Sequence, residues 1–310
     1  MKILITGGAG FIASHVADAY LAEGYEVAVL DNLSTGFEKN IPLGAVFYKL
    51  DIRDRDGLEQ FILDFEPDVI SHHAAQMDVR VSTKEPAVDA DINIIGTINL
   101  LEAAVKANVK KIIYASTGGA VYGEPNQLPV REYHPINPLS QYGISKHTVE
   151  HYLYLYQQNF HLDYTILRYP NVYGPRQNPH GEAGVISIFI NKIIEGDTPV
   201  IFGDGTQERD YVYISDVVQA NLQALSMGNG MILNIGSGLG TSVLEIVHTI
   251  QAVTKSNDIP IHAPERIGEI KKISLDGTLA REVLEWEPKV PLLDGIRKSY
   301  AYQLSQYKKG

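Results

Sequence analysis

The 310-residue chain contains no cysteine, which excludes disulfides, thiol catalysis and cysteine-ligated metals together. It also lacks any uninterrupted apolar run approaching the roughly 18 to 20 residues of a membrane span. Its opening segment, Met1 to Thr6, turns glycine-rich before a secretory apolar core could form. A cytoplasmic location with no membrane partner is the expectation, and no metal site is expected. Positive charge is in deficit: 26 Lys and Arg stand against 37 Asp and Glu, a formal net charge of -11. Such a surface cannot displace counterions from phosphate in general, so nucleic acid is not an expected partner. An anionic ligand must instead meet locally placed Arg or Lys.

What is present fits a folded protein with a substantial core, with 45% hydrophobic and 20% charged residues. Short apolar runs at Lys2 to Thr6, Glu26 to Leu30, Val46 to Leu50, Asp68 to His72 and Lys111 to Ala115 read as strands. Between them lie stretches of helical spacing such as Ala87 to Asn108, a pattern that predicts an α/β fold with a parallel sheet wrapped by crossover helices. Asp163 to Tyr169 reads as a further strand. After it, Pro170, Pro175 and Pro179 with Gly174 and Gly181 mark a long loop region. Helix patterns near Val185 to Glu195, Ser215 to Leu225 and Val243 to Thr254, with short strands at Val200 to Phe202 and Met231 to Ile235, predict a smaller α/β lobe. The expected division is 1–169 for a nucleotide-binding domain and 170–310 for a substrate-binding lobe. The chain is free to cross between them more than once.

Directly after the first strand comes Gly7-Gly8-Ala9-Gly10-Phe11-Ile12-Ala13, opening a helix pattern. Glycines there let the backbone approach a pyrophosphate, whose charge is stabilised by amide donors and the helix N-terminus. Asp31 ends the second strand about 20 residues later, where a carboxylate can accept hydrogen bonds from a ribose diol. It would repel a 2'-phosphate, and no Arg or Lys lies between Asp31 and Lys39, which favours NAD over NADP. A second cluster, Gly236-Ser237-Gly238-Leu239-Gly240, has no acidic residue ending a following strand at the right distance and reads as a plain loop.

Tyr142-Gly143-Ile144-Ser145-Lys146 begins a helical stretch, so the phenol and the ammonium lie one turn apart on one face. An ammonium near a phenol favours the phenolate, and the pair is the candidate acid/base couple. Ser116 and Thr117 leave the fifth strand where a Rossmann-type cleft opens. Either hydroxyl could bond the reacting oxygen and relay its proton to Tyr142.

In order and spacing, these features resemble the extended short-chain dehydrogenase/reductase superfamily, and within it the UDP-glucose (UDP-galactose) 4-epimerase family. Besides the turn and the Tyr142 to Lys146 motif, the matching segments are Asp31-Asn32-Leu33, Asp51-Ile52, His73-Ala74-Ala75-Gln76, Asn93, Leu167 to Gly174 and Gly203 to Asp216. The resemblance implies a Rossmann-type doubly wound parallel sheet with a smaller substrate lobe. By the same resemblance, Gly7, Gly10, Phe11 and Ile12 would hold the NAD phosphates, Asp31, Asn32, Ser34, Thr35 and Gly36 the adenosine ribose region, and Asp51 and Ile52 the adenine. Ala74, Ala75, Gln76, Asn93, Lys146 and Tyr169 would line the rest of the cofactor, with Tyr142 beside it. Substrate contacts are implied at Thr117, Tyr142, Asn171, Gly184, Val185, Phe202, Arg209, Arg266 and Glu269. Two arginines among them could give charge-assisted hydrogen bonds to a diphosphate.

The sequence departs from the pattern at Gly118, where some members place the active hydroxyl. Thr117 takes that role here, with Ser116 as the alternative. Dehydratases and decarboxylases of the superfamily carry an acidic residue after the active hydroxyl, and Gly118-Gly119 stands there instead. The implied reaction is inversion at C4 of a UDP-hexose through a transient 4-keto sugar. A dehydratase or reductase of nucleotide sugars and a non-catalytic NAD-binding module are the other readings. Ile273 falls near the position where side-chain bulk separates hexoses from N-acetylhexosamines, and both classes stay open. The resemblance also implies a homodimer formed through helices spanning roughly Ile92 to Asn108 and Tyr142 to Asn159.

Overall fold

The computed structural model describes residues 1–180, 184–257, 259–265 and 270–308. Arg266 and Glu269, two of the expected substrate contacts, lie outside the described residues. The chain opens with β1 (Lys2–Thr6), α1 (Phe11–Ala22), β2 (Glu26–Asp31), β3 (Val46–Lys49), α2 (Arg55–Phe65) and β4 (Val69–His72). β1 is buried from Ile3 through Thr6, as expected of a parallel strand covered on both faces. Asp54 caps α2 by accepting the Gly57 amide, and Glu66 ends it in the left-handed conformation.

Two short helices, α3 (Val79–Lys84) and α4 (Pro86–Ala90), lead into a π-helical turn at Asp91–Ile95 and then α5 (Gly96–Lys106). The single helix predicted over Ala87 to Asn108 is therefore interrupted. Asn93 sits within the interruption and bonds both backbone groups of Gln76, donating to its carbonyl at 2.9 Å and accepting its amide at 2.8 Å. One side chain thus ties the loop after β4 to the helix wall, and a π-turn is a common way to present a residue at a functional site.

β5 (Lys111–Thr117), the short α6 (Gly118–Val121), the long α7 (Gln141–Phe160) and β6 (Asp163–Tyr169) complete the first half. Beyond them come β7 (Asn171–Tyr173), α8 (Val185–Glu195), β8 (Val200–Phe202), β9 (Glu208–Arg209), β10 (Tyr211–Tyr213), α9 (Ile214–Ala224) and β11 (Met231–Asn234). The last elements are β12 (Thr241–Ser242), α10 (Val243–Thr254), β13 (Ile261–Ala263), α11 (Thr278–Leu284) and α12 (Leu292–Tyr307).

The main sheet has seven strands in the order β11-β6-β5-β4-β1-β2-β3, all parallel. Strand order reverses between β1 and β4, the switch point at which open α/β sheets bind ligands beyond the strands' carboxyl ends. Helices α2, α5 and α7 pack over one face and α1, α9 and α11 over the other, so the sheet is doubly wound. Helices α8, α10 and α12 pack together around Ile186, Phe189, Ile190, Ile246, Ile250 and Ile296. With the two-stranded pairs β7/β10, β8/β13 and β9/β12 they form the smaller lobe. β11, which lies beyond residue 169, pairs with β6 and forms the edge of the large sheet.

Candidate active site

The turn after β1 places Gly7 with φ +71°, and a Cβ there would lie 2.7 Å from the Ala74 amide nitrogen. Only glycine allows this approach between the first turn and the loop after β4. Gly10 precedes α1 in extended conformation and has no side chain to cap it. The first amides of the helix, at Phe11 and Ile12, therefore have no side-chain cap and can donate to an anion. Asp31 is buried at the end of β2, where its carboxylate accepts the Ala9 amide at 3.0 Å and the Leu33 amide at 2.7 Å. These bonds fix the carboxylate against the glycine turn and leave further lone pairs for a diol. The cradle, its helix terminus and the fixed acid together fit a dinucleotide.

Around the cradle, Asn32, Ser34 and Thr35 are exposed, and Gly36 packs on Ala9. Asp51 accepts from Arg53 and Asn32; hydrogen bonds from Arg53 lead in holding its carboxyl well below the usual carboxylate range. The Ile52 side chain is buried in the α2/α5 core. Ala74, Ala75 and Gln76 line the partly open edge beyond β4. The Tyr169 ring lies in the core under α9 with its hydroxyl accepting from Asn221 at 2.8 Å.

His72, next to this edge, is buried between two hydroxyls, with Nδ1 2.7 Å from Thr6 Oγ1 and Nε2 2.9 Å from Thr97 Oγ1. Thr97 donates its own proton to the Asn93 carbonyl at 2.6 Å, so it accepts from Nε2–H and Thr6 donates to Nδ1. Burial, reinforced by the charge of Lys146, holds this imidazole neutral, well below the usual histidine range.

The catalytic group assembles at the start of α7. Ser140 caps the helix by accepting the Gly143 amide at 3.1 Å. A Cβ on Gly143 would lie 2.6 Å from the Ala120 carbonyl oxygen, so glycine here lets α7 close on the segment after β5. That contact sets Tyr142, in the first helical turn, against Thr117 at the end of β5. Lys146 is buried one turn later with Nζ 4.2 Å from the centroid of the Tyr114 ring. Burial pulls its ammonium down to about 7, against the opposing influence of Glu150 and Asp89. Tyr142 moves the other way: burial, with Asp89 adding, pushes it up to about 12, although the nearby Thr117 opposes this. In the protein by itself, desolvation penalises both charged forms more than their proximity favours them.

Ser116 and Thr117 point to opposite sides of β5, as alternate strand residues must. The Ser116 hydroxyl donates to Glu150 Oε1 at 2.6 Å within a buried array. Arg168 Nε donates to the same oxygen at 2.9 Å, and His147 Nδ1 lies 2.9 Å from Oε2. Burial works against ionisation of Glu150, but the bonds from Arg168 and His147 outweigh it and hold the carboxyl at about 2. Ser116 is thus bound into the scaffold behind the strand and not presented to Tyr142. Gly118 carries no hydroxyl because Leu275 fills its place, with Cδ1 2.3 Å from where a Cβ would sit.

Across the cleft, Asn171 leads β7, with its Oδ1 3.8 Å from where a Gly119 Cβ would sit, the same distance as Thr117 Oγ1. Gly184 and Val185 start α8, Phe202 ends β8, and Arg209 ends β9 with Nη1 2.9 Å from the Glu208 carbonyl. Of these, Asn171 is the one brought beside Thr117 and Gly119 at the carboxyl end of β5. Sequence reasoning missed Asp210. This buried carboxylate accepts the amides of Ser237 and Gly238, the Ser237 hydroxyl and the Leu275 amide. The second glycine cluster is a nest for that internal acid, beside Arg209. A lone Asp inside a strand pattern carried no signal of it.

A family model described as the NAD dependent epimerase/dehydratase family matches residues 3–236. A putative UDP-glucose 4-epimerase of Methanocaldococcus jannaschii is 51% identical over 296 residues, covering 96% of each chain. The crystal structure of UDP-glucose 4-epimerase with UDP-glucose from Thermotoga maritima superposes with a TM-score of 0.98 at 45% identity, covering 99% of this chain and 100% of that one. The UDP-glucose 4-epimerase of Thermus thermophilus, solved as a complex with NAD, gives a TM-score of 0.92 at 41% identity, over 97% and 98% of the two chains.

Proposed function

This chain belongs to the NAD-dependent epimerase/dehydratase family, and from that premise we propose that it inverts C4 of a UDP-hexose, with NAD as its cofactor. The observation that carries the reading is Tyr142 set against Thr117, with Lys146 buried one turn away, at the carboxyl end of β5. The Gly7 to Ile12 cradle and Asp31 would hold the dinucleotide at 1–169, with Asn32, Ser34, Thr35, Gly36, Asp51 and Ile52 toward its adenosine end. Ala74, Ala75, Gln76 and Asn93 would hold the other end, along with the backbone at Tyr169. Residues of 170–310, namely Asn171, Gly184, Val185, Phe202, Arg209, Arg266 and Glu269, would hold the nucleotide sugar.

When bound, oxidised NAD brings a positive nicotinamide and an acceptor for the hydrogen leaving C4. Tyr142, a protonated phenol in the protein by itself, becomes the base once a cation joins Lys146 and the positive first turn of α7. It takes the C4 hydroxyl proton directly or through Thr117, giving the 4-keto sugar, and returns it after the sugar has turned over. Holding the nucleotide and diphosphate while leaving the hexose loosely held is what permits that turn. The Ile273 side chain is packed among Val121, Tyr122, Val130 and Leu275, so the sugar class is left to a substrate panel.

A homodimer through α5 and α7 is part of this reading, supported by the exposed apolar side chains of Ile95, Ile144, Tyr154 and Leu155. A cytoplasmic location is kept as well; among the described residues no helix is long and apolar enough to cross a membrane. The test is Tyr142→Phe assayed by chromatography with UDP-galactose, UDP-N-acetylgalactosamine and UDP-glucuronic acid. The unaltered protein converts at least one at constant mass, and the variant loses about 10²-fold or more in rate. Undiminished turnover would refute the base.

A further inference from the structure

The buried ammonium of Lys146 forms no ion pair with any of the described residues. Glu150, one turn along α7, is neutralised by Arg168, whose Nε donates to its Oε1 at 2.9 Å. His72 is neutral, and burial pulls its neighbour His73 down to about 3, so neither imidazole carries charge near neutral pH. Tyr142 and Tyr114 are both pushed up by burial and are uncharged as well.

One further charged group bears on the lysine: Asp89, on α4, which packs against α7. Its side chain is buried, and Oδ1 accepts from Gln76 Nε2 at 3.0 Å and from Asn93 Nδ2 at 3.1 Å. Both donors are uncharged amides, and among the described residues no ion pair includes this carboxylate either. Asn93 Nδ2 also lies 3.1 Å from the hydroxyl oxygen of Ser145, the residue before Lys146. A single amide group therefore spans from the carboxylate to the helical turn that carries the ammonium. The charge of Asp89 acts on Lys146, Tyr142 and Tyr114 alike. Two buried opposite charges that lack nearer partners attract each other far more strongly than the same charges in water.

From this arrangement we infer that Asp89 is the counter-charge of Lys146, a positioning residue that keeps the buried lysine in its ammonium form without touching it. Asn93 fixes the geometry between them. The consequence for catalysis rests on the epimerase reading, in which Tyr142 acts as a base only while Lys146 stays charged. Asparagine at position 89 would keep an oxygen acceptor for Gln76 and Asn93 and remove only the negative charge. The ammonium, still desolvated, would then give up its proton more readily.

The test is a double-mutant cycle of Asp89→Asn and Lys146→Met in the full chain freed of NAD, unfolded with urea from about pH 5 to 9.5. Subtracting the stability of each Lys146→Met protein from that of its lysine-bearing counterpart isolates the lysine. With Asp89 present, this difference is flat below about pH 7 and rises above it, where the folded lysine loses its proton. Asp89→Asn is expected to move that break down by about one pH unit or more. A break that stays in place, or moves up, overturns the inference. Should Asp89→Asn fail to fold, Lys146→Met is expected to restore it, and a protein unfolded in both backgrounds overturns the inference too. In NAD-bearing protein, Asp89→Asn lowers kcat several-fold at pH 7 and leaves KM within about twofold; an unchanged kcat overturns the positioning role. Absence of turnover by the unaltered protein would count against the epimerase reading instead, and the cycle, which needs no substrate, still decides the inference.

Discussion

Lys146 destabilises the fold it serves, and its replacement by methionine measures by how much. The side chain is 3% exposed and rests on the Tyr114 ring, and burial takes its pKa from 10.5 down to about 7. An unfolded chain therefore binds one more proton than the cofactor-free folded protein between about pH 7 and 10.5. Stability rises with pH wherever the unfolded state holds more protons, so the penalty is complete below about pH 7 and relieved across that window. The full difference of about 3.5 pH units corresponds to roughly 5 kcal/mol at low pH and about 4 kcal/mol at pH 7. Methionine keeps the length and apolar stem but loses a cation–π contact of about 1 to 2 kcal/mol. Lys146→Met freed of NAD is thus expected to be more stable than the unaltered protein by about 2 to 3 kcal/mol at pH 7, while inactive. Urea unfolding of both proteins from pH 6 to 9.5 makes the comparison. Above pH 7.5 the gap should close by about 1.4 kcal/mol per pH unit. A variant that is less stable at pH 6, or a gap that does not change with pH, would refute the buried-charge argument.

Thr117→Val should lower turnover by about 10² or more, whereas Ser116→Ala should keep turnover within a few-fold. Its cost falls instead on stability, about 1.5 to 3 kcal/mol for a lost bond to a charged acceptor, read by urea unfolding. Arg168→Met leaves Glu150 buried without its main partner and should cost about 3 to 5 kcal/mol, measured the same way. Gly7→Ala forces a side chain toward Ala74 at an unfavourable φ, so the purified protein should carry far less NAD, counted spectrophotometrically after denaturation.

Much of the sheet was legible because a strand buried on both faces reads as a continuous apolar run. Lys2–Thr6 and Asp163–Tyr169 were read with the bounds the structure gives them. Helix α10 was also read in place, where Ser242 and Glu245 make a capping box. The break at Asp91–Ile95 was not legible, since a π-turn keeps nearly helical spacing and its cause, the Asn93 bonds to Gln76, spans distant segments. At the site, the one-turn spacing of Tyr142 and Lys146 was visible. The sign of their pKa shifts was not, because it depends on how deeply tertiary packing buries them. The choice between Ser116 and Thr117 likewise needed the facing helix, as alternation on a strand says that two neighbours diverge but not which one meets the base.

The path of β11 bears on how the cleft can move. The polypeptide leaves the large sheet after β6, builds β7 and α8 through β10 along the opposite wall, covers the large sheet with α9, and comes back to hydrogen-bond with β6 before departing again. The two walls are therefore stitched by several passes of chain and not joined at one flexible joint. Wide clamshell opening about a single pivot would tear an edge strand from its neighbour. Entry and exit of a ligand must instead proceed through displacement of the surface segments that rim the cleft, leaving the stitched framework unmoved.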